Sequence, residues 1–224
     1  MSAWRADGVV LVAVLLLTLL MSAFGVALAL ITSSDAMIAA NFRDGQETRY
    51  AASAVAERTI AEVAAMSDWN GLLDGSVRST FFRSAPSGPQ LADGSVLDVQ
   101  ELVSLANCQK KTACTSAEMD AVTADRPWGV NNPRWQLVSQ GWLRDLLPAG
   151  SIDSAVFTVV FVGDDPLETD GNPLRDEPSP GAGAGTLAIR ALAFGPRGAR
   201  QTVEVTVVRG RDGDTRPIAW RDRR

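Results

Sequence analysis

The sequence predicts an α+β protein in which one long N-terminal helix packs against a C-terminal antiparallel sheet. Three observations carry this expectation. No residue between Asp7 and Asp35 is charged, a helical pattern then continues without proline to Met66, and apolar runs of strand length recur after residue 151. The composition narrows the possible functions further. The chain has 224 residues, a net charge of −5, no His, and 21 basic residues of which only Lys110 and Lys111 are lysines. Without His, imidazole base chemistry and the usual Ser-His-Asp triad are excluded. The acidic balance, with no long basic run, argues against a nucleic-acid partner.

Val9 to Ile31 is an apolar run of 23 residues, long enough as a helix to cross a hydrocarbon core of ~30 Å. No second run of that kind exists, so the chain has at most one span, placed at residues 9–31. Three readings compete for this segment. A cleaved signal peptide would use Arg5 as its basic region and Ala27-Leu28-Ala29 as its site. A permanent single-pass anchor would be only weakly oriented, because Asp7 offsets Arg5. In the third, the short polar leader of residues 1–8, ending in Gly8, is removed and leaves the apolar helix in the mature protein.

The continuation of the helix favours the third reading. Seven alanines fall between Ala51 and Ala65, and apolar residues Ile38, Phe42, Ala52, Val55, Ile60 and Val63 recur at three- and four-residue steps. Arg43, Glu47, Glu57, Arg58 and Glu62 fill the other faces, with Arg58 and Glu62 spaced as an i,i+4 pair. A helix over residues 9–66 would be ~87 Å long.

After Met66 the chain turns to Gly, Ser and Pro, and residues 67–150 read as a connecting region of turns and short helices. Asp68-Trp69-Asn70-Gly71 suggests a turn, Val99–Ala106 a short helix, and Thr115 opens a capping box. The sheet is expected over residues 151–209. Ala155–Gly163 is apolar on both faces, Thr186–Phe194 and Gln201–Val208 alternate, and Gly195-Pro196-Arg197-Gly198 is a hairpin signal between them. Residues 210–224 lack an apolar period and read as a mobile tail.

Cys108 and Cys114 are the only cysteines. On an anchored domain facing an oxidising compartment a disulfide is expected, against two free thiols or a redox or metal role. The acidic loop Asp164, Asp165, Glu168, Asp170, Asn172, Asp176 and Glu177 has enough oxygens for calcium, although its spacing is not that of an EF-hand; a solvated acidic turn is the alternative. Gly181–Gly185 reads as a flexible loop and not a phosphate cradle, since no Lys-Ser/Thr pair follows. Trp128, Trp135 and Trp142 stand seven apart, with Pro127 and Pro133 forbidding a continuous helix. They read as packing residues or as an exposed aromatic surface for a ligand or partner. No catalytic constellation stands out, and a non-enzymatic role is expected; a membrane-anchored hydrolase would require a buried carboxylate pair or an activated Ser in a cleft.

RADGVVLVAVLLLTLL, followed by SSDAMIAANFRDGQETRYAASAVAERTIAEV, resembles the N-terminal region of PilX-like minor pilins of type IV pilus systems, whose pattern is of the type IAANxRDxQxAxYAAxAAxERA. TADRPWGVNNPRWQL and DDPLETDGNPLRDE are similar to later stretches of some members. The resemblance implies a pilin-like fold and a bacterial inner-membrane prepilin with a periplasmic domain, cut by the prepilin peptidase between Gly8 and Val9 and N-methylated there. It also implies assembly with other pilins and minor pilins into an extracellular fibre, where Ala13, Ile38 and Phe42 would pack among neighbouring helices. Two positions depart from the pattern. Val9 replaces the common Phe, and Ala13 stands at mature position five, where most pilins carry the Glu that meets a neighbour's terminal amine. The lack of that Glu, shared with tip-like pseudopilins, suggests a priming or tip subunit. The alternatives are a type II secretion minor pseudopilin, some of which bind calcium in loops near the sheet, and an adhesin or ligand-binding module on a pilin stem.

Overall fold

The computed structural model describes residues 6–83, 88–146, 153–176, 183–210 and 212–223. The leader residues Met1–Arg5, Glu177, and Gly181-Ala182 of the glycine-alanine run lie outside them. The chain divides into two compact units, Met1–Arg43 and Asp44–Arg224.

Helix α1, Ala6–Ala64, contributes to both. Its large apolar residues in the first unit are exposed, from Val9 (69%) to Phe42 (68%), and it is long and apolar enough to cross a membrane. Four hydroxyls within this apolar stretch are satisfied inside the helix. Thr18 donates to the Leu15 carbonyl, Ser22 to Thr18, Thr32 to Leu28 and Ser34 to Leu30, so these side chains ask nothing of their surroundings.

In the second unit the same helix buries a stripe. Asp44, Thr48, Ala51, Ala52, Val55, Ala56, Thr59 and Val63 are buried at helical spacing, and the apolar members join a core with one face of the sheet. Three of them are alanines, so the helix backbone can approach closely while the strands supply the branched residues. The sheet is a five-stranded antiparallel meander in the order β1 (Gln136–Trp142), β2 (Phe157–Asp164), β3 (Thr186–Phe194), β4 (Arg200–Arg209), β5 (Thr215–Arg223). Alternation sorts its faces. Val160, Val162, Leu187, Ile189, Ala191, Val203, Val205 and Val207 share the core of α1, while Phe157, Val159, Phe161, Leu192 and Phe194 form a second core on the other side. Leu102 of helix α3 (Val99–Cys108) and Trp135 cover that second face, which is why β2 is buried at every position.

The short helices follow their caps. Asp98 accepts hydrogen bonds from the Gln100 and Glu101 amides at the start of α3. The capping box at Thr115 is present on helix α4 (Ser116–Met119), with Glu118 returning the bond to the Thr115 amide. Where a turn was expected at residues 68–71, Trp69 is fully buried ahead of the single-turn helix α2 (Asn70–Leu73). Its indole N–H donates to the Val63 carbonyl at 3.0 Å, and the Arg209 guanidinium lies 4.1 Å over its ring. Arg209 also donates to the Met66 and Ser67 carbonyls, giving the end of α1 the cation that its own last turn lacks.

Two expectations are corrected. Residues 67–150 contain a strand, β1, followed by the single-turn helix α5 (Leu143–Leu146). Its polar residues concealed it: Ser139 and Gln140 are buried because Ser139 donates to the Phe81 carbonyl and Gln140 to the Arg83 carbonyl, binding residues 79–83 along the strand. Residues 215–223 of the supposed mobile tail form β5, paired with β4. This strand is mostly exposed and holds its place by a ladder and by ion pairs, Arg49–Asp222 and Arg223–Glu204, both at 2.7 Å, with no apolar stripe of its own. The turn before it places Gly213 at φ +80, a conformation that suits glycine.

Candidate functional site

On α1, Gly8 and Val9 are exposed, and nothing lies within 4 Å of the position a Gly8 Cβ would take. Among the described residues nothing packs against Gly8. Ala13 sits in a shallow apolar notch formed with Leu16, Leu17, Leu20 and Ala23, the small methyl leaving space between leucines. Ile38 and Phe42 are exposed at 66% and 68%. Among the described residues none of these five is buried.

Cys108 and Cys114 form a disulfide, joining the last residue of α3 to the residue before the Thr115 cap. Lys110 pairs with Glu118 and Lys111 with Glu101 across the same loop. The Lys110 ammonium, and then the Thr115 amide, hold the Glu118 carboxyl down to about 2. Closing so short a loop is worth roughly 2 kcal/mol in the chain-entropy model. The Cys108→Ser, Cys114→Ser double variant is expected to lose about that much in thermal unfolding. An unchanged midpoint would mean that the ion pairs alone fix the loop.

In the acidic loop two carboxylates are used locally. Asp165 accepts from the Leu167 amide and Asp170 from the Asn172 amide, each carboxylate closing its own turn. Among the described residues no group of three or more carboxylates could share an ion, against the six to eight oxygens calcium takes. Asp164 and Glu168, however, are both buried, at 3% and 5% exposure. Burial, and then the charge of Glu168, push the Asp164 carboxyl up to about 8. This is the buried pair that a hydrolase would need, yet neither carboxylate lines the large cleft of the sheet.

Trp128 and Trp135 line one cavity of the sheet, and Trp142 does not. Trp135 is buried at 7% exposure, its backbone amide and carbonyl both bonded by the Asn107 side chain, at 2.8 and 2.9 Å. Gly163 of β2 admits its ring, since a Cβ there would lie 3.2 Å from the indole. Trp142 is half-buried, edge-on to Phe157 with centroids 5.3 Å apart. Trp128 is exposed at 41%. The seven-residue spacing runs from the turn at Gly129–Asn131 into β1, whose last residue, Trp142, lies apart from that cavity.

The cleft itself was not legible in the sequence. α3 covers β1, β2 and part of β3, and beyond it the outer face of β3, β4 and β5 opens into a cavity of about 600 Å³. The opposite wall is the segment 125–135, held by the buried Asn132, whose amide donates to the Met119 and Ala121 carbonyls and whose oxygen accepts from the Trp128 amide. Four arginines line this cavity: Arg126, Arg190, Arg221 and Arg223. Glu204 takes two of them, Arg190 through one oxygen and Arg223 through the other, both at 2.7 Å. Arg126 is buried at 7% exposure, donates through Nη2 to the Pro133 carbonyl, and among the described residues has no ion pair and no partner for Nε. Burial, then the nearby Arg134 guanidinium, draw Arg126 below the usual arginine range. An arginine in a proline-flanked loop was the available signal, but its meaning depends on strands some 60–100 residues away in the chain.

Compared with known proteins, the chain matches no family model, no curated protein and no solved structure.

Proposed function

We propose that this protein is a minor pilin that is cleaved after Gly8 and enters a type IV pilus as a priming or tip subunit. One observation carries the reading. A single helix of 59 residues presents an exposed apolar surface over its first unit and a buried small-residue stripe under a sheet in its second. A subunit that starts in a bilayer and ends in a fibre needs both properties. In lipid the exposed residues face acyl chains, and in a fibre they face the helices of other pilins; because Thr18, Ser22, Thr32 and Ser34 are bonded within the helix, the exchange uncovers none of those hydroxyls.

Ala13 supports the tip position. A Glu at that height would be a charge in an apolar bundle, tolerable where a neighbour's terminal amine meets it and costly where none does. A subunit with no pilin above it has no use for the carboxylate, while its own Val9 amine can still be met from below. Localisation to the inner membrane and then the pilus, N-methylation at Val9, and pilin partners belong to this same proposal.

N-terminal sequencing of the protein recovered from membranes tests it. The mature chain is expected to start at Val9 in cells with prepilin peptidase and at Met1 in cells without it. A start at Leu30 would instead identify an ordinary signal peptide and reject the pilin assignment, as would an intact Met1 in both strains.

A further inference from the structure

We propose that the cleft between the segment 125–135 and the outer face of β3–β5 binds a monoanionic carboxylate carried on an apolar or aromatic body. The cavity of about 600 Å³ lies within the range of small-ligand sites. Its charge is unbalanced by about one unit: four arginines face Asp125, Asp165 and Glu204. Those carboxylates are engaged, Asp125 by the Gln109 amide, Asp165 by the Leu167 amide, and Glu204 by Arg190 and Arg223. Arg126 and Arg221 are left without an ion pair among the described residues, and Arg126 is a desolvated charge for which the favourable carboxylate, Asp120, already pairs with Arg134. An uncompensated buried cation is unfavourable until an anion arrives, so the binding energy of an incoming carboxylate is concentrated there.

The same composition selects among anions. Three carboxylates on the wall repel a second negative charge, which disfavours a phosphate dianion and suits a single carboxylate. Trp128, Leu105 and Ile218 also line the cavity and are exposed at 41%, 37% and 58%, giving an apolar body a surface to lie on. Such a carboxylate has two sources, a free organic acid or the C-terminus of a partner polypeptide.

The test uses the full chain in lipid nanodiscs, labelled with 5-fluorotryptophan, with the Trp128 signal assigned by Trp128→Phe. The probes are 4-phenylbutyrate against 4-phenylbutyramide, and N-acetyl-leucyl-phenylalanine against its C-terminal amide. At least one acid is expected to shift the Trp128 resonance saturably and to bind about tenfold more tightly than its amide, the scale of one charged hydrogen bond. Preference for the free acid points to a small metabolite, and preference for the peptide acid to a protein terminus. Arg126→Gln should abolish the discrimination between acid and amide. Should that variant unfold, seen as collapse of all the tryptophan signals, the exposed Arg221→Gln decides, with several-fold weaker acid binding expected. Acids that bind no better than their amides, or discrimination that survives in Arg221→Gln and in a folded Arg126→Gln, would overturn the assignment.

Discussion

Trp69→Ala is expected to destabilise the protein by about 4 kcal/mol, within the ~3–5 kcal/mol range for truncating a buried aromatic residue. The indole is wholly buried between the end of α1 and β4, and its loss acts three ways. It leaves a cavity among Val63, Leu72, Leu73 and their neighbours, takes one of two donors from the Val63 carbonyl, which keeps only the Met66 amide, and removes the ring beneath Arg209. Because Arg209 also bonds the Met66 and Ser67 carbonyls, the C-terminal end of α1 should fray in the same variant. Thermal unfolding of the intact chain in detergent measures the loss, with amide exchange at residues 60–66 reporting the fraying. Trp220→Ala, at an exposed position of β5, is the control and should change stability by less than about 1 kcal/mol. Equal effects from the two variants would show that Trp69 does not anchor the helix end.

The second large effect is a pH dependence with its origin at Asp164. An aspartate in the unfolded chain releases its proton near pH 4, whereas the buried Asp164 carboxyl holds it to about 8. Between those values the folded chain binds a proton that the unfolded chain has lost. The stabilisation associated with this raised group is therefore complete below pH 4, declines as pH rises, and is gone once pH has passed through about 8. Asp164→Asn keeps an oxygen to accept from the Asp165 amide and cannot ionise. Relative to the parent it should become progressively more stable above pH 5, by ~2–3 kcal/mol at pH 8, about half the ~5–6 kcal/mol that four units would supply without local relaxation. Melting curves from pH 5 to 9 check this. A constant difference between parent and variant over that window would mean that Asp164 is ionised throughout.

The parts of the fold that were legible had a period of their own. α1 could be followed because its alanines and apolar residues repeat at helical steps, and β2 to β4 because Val159, Val160 and Phe161 or Val203, Val205 and Val207 leave no other economical arrangement. The strands at the two ends were illegible for the converse reason. β1 spends Ser139 and Gln140 on carbonyls of residues 81 and 83, and β5 is held by pairs to Arg49 and Glu204, so each owes its place to residues remote in sequence. The disulfide could be anticipated from two cysteines and the expectation of an oxidising compartment. The arginine-lined cleft could not, because Arg126, Arg190, Arg221 and Arg223 look like ordinary surface charge until the register of β3, β4 and β5 aligns them.

The margins of the sheet have a consequence for life in a crowd. On the β1 side the residues 79–83 already occupy the exposed backbone, through amides of Ser79 and Arg83 bonded to the Val138 and Gln140 carbonyls. On the β5 side Pro217 offers no amide, a register shift between Thr206 and Val207 breaks the regular ladder, and Arg216, Arg221 and Arg223 place like charges along the strand. A second copy approaching that border would meet a missing donor, a kink and its own arginines. Domains brought to high local density, as on a shared membrane surface, would therefore resist fusing their sheets into an aggregate, and each would keep its own fold while other surfaces decide which neighbours it accepts.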